Sequence, residues 1–342
     1  MRYFILFVSV ISLLLSALIQ PAMAFEQDKL MGSFFSIVLV RGYNSNGSLA
    51  YGSGVVVGDN KVLTNCHIFR QTKEPWISRG DETFTISGIQ ADRNHDLCLL
   101  TTEGLPTKPV ELGSSQGLKK GQEIIAIGHS GGSPNPITSV GTIKSVYPLD
   151  HGNIIRSTAR FGLGASGSGL FDNEGRLIGI NTFKTIGHHS YFYALPIDWL
   201  ANLQNLPVEK NFLIEGKTFW EAEESDKPFF LQIAIPELQG NWSKLDEIAT
   251  RWIKDEPNST EAWYEIGFAQ ENLEQKDSAL KSYRKSLEIN PLNSDSLFRI
   301  GMIAAKAGDQ KEVNAIKLAL QDIDKDIAQE FNTAITCKEA CQ

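Results

Sequence analysis

The chain has no block of lysines and arginines: 32 basic residues are dispersed among 40 acidic ones, for a net charge of −8. That excludes a phosphate-tracking surface for nucleic acid and a polybasic patch for anionic membranes. Cysteine is scarce, with only Cys66, Cys98, Cys337 and Cys341. None of the four forms a CxxC pair or a Cys/His spacing suited to zinc, so no metal site is expected. Long apolar runs are missing too, with one exception. Arg2 is followed by YFILFVSVISLLLSALI and then by PAMA, where Ala22-Met23-Ala24 offers a small-x-small cleavage site. Residues 1–24 therefore read as a cleaved signal peptide, with a retained anchor helix as the alternative. No cysteine follows the site to carry a lipid. The mature chain is expected to begin near Phe25, periplasmic or secreted, with no stable membrane anchor after cleavage. In that oxidising compartment an even cysteine count favours pairing, in a connectivity the sequence leaves open.

What is present falls into two halves with different periodicities. From about residue 33 to 200, short β-branched and aromatic runs such as GSGVVVG, KVLTNCHIF, DLCLLTT, EIIAIG and RLIGINTF are punctuated by Gly, Asn and Asp. Antiparallel hairpins are punctuated in this way, and the half reads as an all-β barrel or sandwich. After about residue 225 the apolar positions recur every three or four residues, as on helices. Pro257 and Pro291 lie 34 residues apart and enclose Trp263, Ile266, Gly267, Ala279 and Tyr283. This resembles a tetratricopeptide (TPR) repeat, a helix–turn–helix unit of about 34 residues. Leu297, Ile300, Gly301 and Gly308 begin a second unit, and GNWSKLDEIATRWIKDEP resembles the second helix of a degenerate earlier one. The expected division is 1–24 signal peptide, 25–207 β domain, 208–225 acidic linker, 226–325 helical repeats and 326–342 tail, the last a terminal helix capping the repeats.

Three segments of the β half carry chemistry. KVLTNCHIF supplies His67, ADRNHDLCLL supplies Asp96, and FGLGASGSGLFD supplies a serine in a glycine-rich turn, with gaps of 29 and 70 residues between His67, Asp96 and Ser166. A serine hydroxyl is a weak nucleophile at neutral pH. It needs an imidazole to take its proton, and the imidazole needs a carboxylate to fix its tautomer.

These segments, with GQEIIAIGHSGG…ITSVGTIKS and GRLIGINTF…FYALP, together resemble the chymotrypsin-fold serine endopeptidases, most nearly their bacterial HtrA/Deg branch. The resemblance spans residues 33 to 200 and implies an all-β double barrel, followed here by an all-α TPR-like domain. It places the general base at His67, the orienting carboxylate at Asp96 rather than Asp92, and the nucleophile at Ser166. Ser168 falls on a structural glycine of the family pattern. The resemblance also implies an oxyanion hole from the backbone N–H groups of Gly164 and Ser166. His95, His129, His151, His188 and His189 lack such context and read as loop residues. By family position the primary specificity pocket falls to residues 158–163 and Asn181, Thr182 and Phe183. There Arg160 could select an acidic side chain or point to solvent, and Phe161 could narrow the pocket. Cys66 and Cys98 flank the base and the carboxylate, and either pair as a disulfide or remain two buried thiols. Cys337 and Cys341 could pair if the tail is not a regular helix, or link two chains.

Gly128-His129-Ser130-Gly131-Gly132 also satisfies G-x-S-x-G, the nucleophile elbow of α/β-hydrolases. That elbow must lead into a helix, and the two prolines in GGSPNPIT forbid one. Ala165 departs from the family, whose digestive members carry there the acidic residue that pairs with a freed N-terminus; no zymogen step of that kind is expected. Helical repeats stand where many HtrA/Deg members carry a PDZ domain. The expectation is an exported serine endopeptidase without cofactor, acting on proteins or peptides, with a protein partner or substrate docking on the helical groove. The alternatives are a catalytically silent interaction scaffold and an esterase on the same barrel.

Overall fold

A computed structural model describes residues 27–185 and 190–340. The signal segment, His188, His189 and Cys341 lie outside them. Both expected halves are present, as two closed six-strand antiparallel barrels followed by helices. Barrel 1 closes in the order β1 (Ile37–Asn44), β2 (Leu49–Gly58), β3 (Lys61–Asn65), β6 (Leu97–Thr102), β5 (Glu82–Asp92), β4 (Thr72–Arg79). Barrel 2 closes as β10 (Ser168–Asp172), β11 (Leu177–Lys184), β12 (Phe192–Pro196), β9 (Gly152–Ser157), β8 (Ile137–Leu149), β7 (Glu123–Gly128). Tight turns fix the register: Asn60 between β2 and β3, and Asp150 with His151 between β8 and β9, adopt positive φ as two-residue hairpins require. Strands β4, β9 and β10 carry too little apolar alternation to stand out in the sequence. SFF, which reads as strand, instead ends the helix α1 (Gln27–Phe35).

The segment 208–225 is not a free linker. Glu209 exchanges both backbone hydrogen bonds with Ile89 of β5, and Ile214 is buried in barrel 1. Farther on, Arg70 forms a two-pronged pair with Glu221, one prong at 2.6 Å between Nη1 and Oε1. That pairing, with the Thr218 cap, pushes the Glu221 carboxyl down to about 2. Two of the acidic side chains that suggested a linker, Glu209 and Glu221, are spent on barrel 1's own cations, Arg93 and Arg70.

After the barrels come α2 (Leu200–Leu203), which packs against β5 and β6 of barrel 1, and α3 (Phe229–Gln232) and α4 (Ala234–Gln239), which pack on barrel 2. Tyr147 of β8 stacks on Phe230 at 4.6 Å between ring centres, so barrel and helices share one core. Then α5 (Trp242–Asp255), α6 (Thr260–Asn272), α7 (Lys276–Ile289), α8 (Ser294–Ala307) and α9 (Gln310–Ile323) follow, each packed on the next. Gly267 of α6 and Gly301 of α8 hold equivalent positions. A Cβ on Gly267 would sit 2.8 Å from the Tyr283 ring, so glycine sets how closely these helices approach. The last helix, α10 (Lys325–Ala340), packs Phe331 against α8 and runs regularly through Cys337. Among the described residues no helix is long and apolar enough to cross a membrane.

Candidate active site

The site lies on the seam between the barrels. Strand β3 stops at Asn65, and Cys66–Phe69 curl into a 3₁₀ turn rather than extending the strand. The turn aims His67 at Asp96, which stands in the left-handed region at φ 58° just before β6. Aspartate is among the few side chains that tolerate this conformation. Four bonds hold it there. Its carboxylate accepts the His67 N–H at 2.7 Å and meets ring Nδ1 at 2.5 Å, and its carbonyl accepts from Cys66 N and Asn65 Nδ2. Burial pushes the Asp96 carboxyl up, opposed by the hydrogen bonds from His67 and the charge of Arg70. Asp92, the competing carboxylate, is spent on His95.

Cys66 and Cys98 are disulfide-bonded, with 5.0 Å between their Cα atoms, and tie the two segments together. The bridge closes a loop of sequence separation 32. Reducing it, or replacing both cysteines by alanine, is expected to cost about 3–4 kcal/mol by loop entropy. Thermal melts with and without reductant measure the loss.

The serine turn is built around its backbone. Ala165 N bonds Gly162 O, Ser168 N bonds Ala165 O, and Gly167 N bonds Asn181 O. The Leu163 carbonyl accepts from Gly131 N at 2.6 Å, which directs the Gly164 N–H of the same planar peptide to the opposite side. Ser53 of β2 grips the turn twice, its Oγ donating to Gly164 O and its N–H to Ser166 O. Among the described residues only the N–H groups of Gly164 and Ser166 in the 164–168 turn have no acceptor. Gly164 and Gly167 both need positive φ, 86° and 84°, and a Cβ on Gly167 would meet Ser53 O at 2.1 Å.

Ser166 is half-buried, whereas Ser168 is buried with its Oγ accepting from Asn181 Nδ2. The Ser166 and His67 segments flank Gly52, whose Cβ position lies 3.1 Å from Ser166 O and 2.2 Å from Ile68 Cδ1. Ser166 Oγ and His67 Nε2 are not hydrogen-bonded to each other among the described residues. Catalytic hydrogen bonds of this kind often tighten only when substrate is bound.

The residues expected to line the specificity pocket divide. Phe161 lies edge-on to Phe192 at 5.1 Å. Asn181 is fully buried with its amide committed to Ser168 and Gly169, so it belongs to the frame and not to a pocket wall. Thr182 is likewise buried, bridging the barrels by accepting from Asn65 Nδ2. Phe183 stacks on Tyr193 and Trp220. Arg160 is exposed and lines the cleft between barrel 2 and the helices.

Sequence reasoning missed Ser53 and Gly131 as parts of the site. Gly131 belongs to the loop set aside as a false elbow; it is indeed no helix entry, with φ 70° inside a single 3₁₀ turn. His95 was missed in another way. Its ring bridges Asp92 at 2.7 Å and Asp150 at 2.9 Å, joining the barrels beside Asp96. Burial works against the imidazolium, but the hydrogen bonds to Asp92 and Asp150 outweigh it and raise the pKa. The resulting stability is fully present below the ordinary histidine value of about 6.5 and fades as pH rises through the folded one. Thermal melts of His95→Gln should therefore trail the wild type most at pH 6, with the gap closing in alkali.

Residues 52–180 match the family model of the trypsin-like peptidase domain. The double barrel is a trypsin-like peptidase domain. This peptidase domain precedes a tetratricopeptide repeat matched at residues 260–293. Similar curated proteins include the anti-sigma-I factor RsgI9 of Acetivibrio thermocellus, 30% identical over 53% of this chain and 26% of the relative. A probable periplasmic serine endoprotease DegP-like of Pseudomonas fluorescens is 29% identical over 48% of this chain and 36% of its own length. The chain thus spans about a third or less of these relatives. Among solved structures, the active form of the Rv3671c protease from M. tuberculosis aligns with TM-score 0.49 and 20% identity, over 57% of this chain and 92% of that one.

Proposed function

We propose that the protein is an HtrA-like serine endopeptidase, exported by its N-terminal signal, whose TPR-like helices dock a substrate or partner protein. The observation that carries this reading is the pair of acceptor-free N–H groups at Gly164 and Ser166, on the turn beside the His67–Asp96 pair. Ser166 Oγ attacks the peptide carbonyl while His67 Nε2 takes its proton. Asp96 holds the Nδ1–H tautomer and stabilises the imidazolium. The two N–H groups receive the oxyanion, each contributing about 10²–10³-fold to the rate. His67 then protonates the leaving amine, and water, deprotonated by the same imidazole, releases the acyl group.

A fluorophosphonate probe tests the chemistry. Purified wild type should label and Ser166→Ala should not; an unlabelled wild type leaves the scaffold reading. Casein against small esters separates endopeptidase from esterase, and N-terminal sequencing of the exported chain tests cleavage after Ala24.

A further inference from the structure

Between barrel 2 and the helices lies a cleft of about 730 Å³ whose two walls differ in charge. The barrel wall carries Lys119, Lys120, Lys144, Arg156 and Arg160, and the helix wall carries Glu237, Glu261, Glu265, Asp295, Asp322 and Asp324. Two cations are already engaged across the cleft: Lys120 with Asp295, and Arg156 with Glu237 at 3.2 Å. Arg156 also lies over the Tyr191 ring, at 4.4 Å. Glu265 makes no ion pair among the described residues, although the charge of Arg156 acts on it. It is only 4% exposed, its Oε2 has no hydrogen-bond partner, and the Tyr147 and Tyr193 hydroxyls nearby are also unpartnered. Glu261 lies one turn earlier on α6 and lines the same cleft without a side-chain partner among the described residues. Burial drives both carboxyls above their ordinary values.

A buried carboxylate without a donor is costly, and natural interiors rarely retain one. The unmet groups are the Glu265 carboxylate, two tyrosine hydroxyls and Arg156 Nε; that one donor is too few, so the missing partner is a cation or a multiple hydrogen-bond donor. A metal fits poorly: among the described residues no three or more His, Cys, Asp or Glu side chains group as metal ligands do. An ammonium fits better, since Glu261 and Glu265 lie one turn apart in the cleft and neither forms an ion pair among the described residues. The cleft is open and long enough to line α6, α8 and the end of α9, more than a small amine would fill.

We propose that this cleft binds a lysine-bearing peptide segment, with Glu265 and Glu261 receiving a lysine ammonium. This deepens the docking reading of the helices and rests on it, but not on the catalytic reading of Ser166. The bound segment would lie against Arg160 and Phe192. Phe192 is the residue on which Phe161 packs, so occupancy adjoins the expected specificity wall.

The test uses the full chain carrying Ser166→Ala, so that binding is read without hydrolysis. Fluorescent dodecapeptides of Ala, Ser and Tyr with one, two or four lysines are titrated at physiological salt, against the same peptides with acetylated lysines. Affinity should rise with lysine count and fall at least tenfold on acetylation. Glu265→Gln, which is isosteric, should cost about tenfold with an undiminished melting temperature, and Glu261→Gln serves if that variant fails to fold. The exposed Glu330→Gln, on α10, should change nothing. Equal binding of acetylated peptides, equal losses in Glu330→Gln, or binding of spermidine but of no peptide would each overturn the proposal. The triad reading would stand or fall separately, on probe labelling.

Discussion

Replacing Ser166 by alanine should reduce peptide hydrolysis by ~10⁶-fold, as removal of a triad nucleophile does elsewhere. Folding should be unaffected, because the Ser166 side chain is half-buried and its Oγ holds no other residue in place. Ser168→Ala should do the opposite. Ser168 is buried and receives the Asn181 amide, so its loss leaves that donor short and costs about 1–3 kcal/mol of stability. Its effect on kcat should be small by comparison. Single-turnover hydrolysis and thermal melts of the two variants therefore move in different columns. A large rate loss in Ser168→Ala at full stability would transfer the nucleophile to that residue.

The second large effect is expected at Gly164. A Cβ there would stand 2.6 Å from the Tyr51 ring and 2.8 Å from the His129 carbonyl, at φ 86°. Tyr51 is partly exposed and could swing away, but the His129 carbonyl is backbone and cannot. Gly164→Ala should therefore turn or displace the Leu163–Gly164 peptide and withdraw one of the two oxyanion donors. The expected loss is about 10²–10³-fold in kcat. KM should change little, because the donor acts on charge that develops only in the transition state. Adding Tyr51→Ala should not restore the rate, since the backbone clash persists. Probe labelling should slow in the variant without disappearing, which separates a weakened oxyanion hole from a missing nucleophile.

Much of this protein is legible in its sequence because the governing interactions are local. Alternation and glycine punctuation mark strands, three- and four-residue spacing marks helices, and the 34-residue recurrence from Pro257 to Pro291 marks the repeat. The His67, Asp96 and Ser166 segments stand out because each carries its own flanking pattern. Where local signals mislead, a distant partner is the reason. KVLTNCHIF reads as continuous strand, yet Asp96 bonds the His67 N–H and turns Cys66–Phe69 out of the sheet. Residues 208–225 read as linker because the partners that fix Glu209 and Glu221, Arg93 and Arg70, lie more than a hundred positions upstream.

Only the tertiary structure decides what completes the site. Ser53 looks like an ordinary strand serine, and Gly131 like part of a rejected motif. Their bonds to the carbonyls of Gly164 and Leu163 exist only after the two barrels close against each other. The same holds for Asn181 and Thr182, whose place in the chain suggests a pocket wall but whose amide and hydroxyl are consumed within the frame. Sequence periodicity determines which faces are buried, because burial follows the repeat of the backbone. Which backbone N–H groups remain free to receive an oxyanion depends on every acceptor within reach, and those are assembled from both barrels.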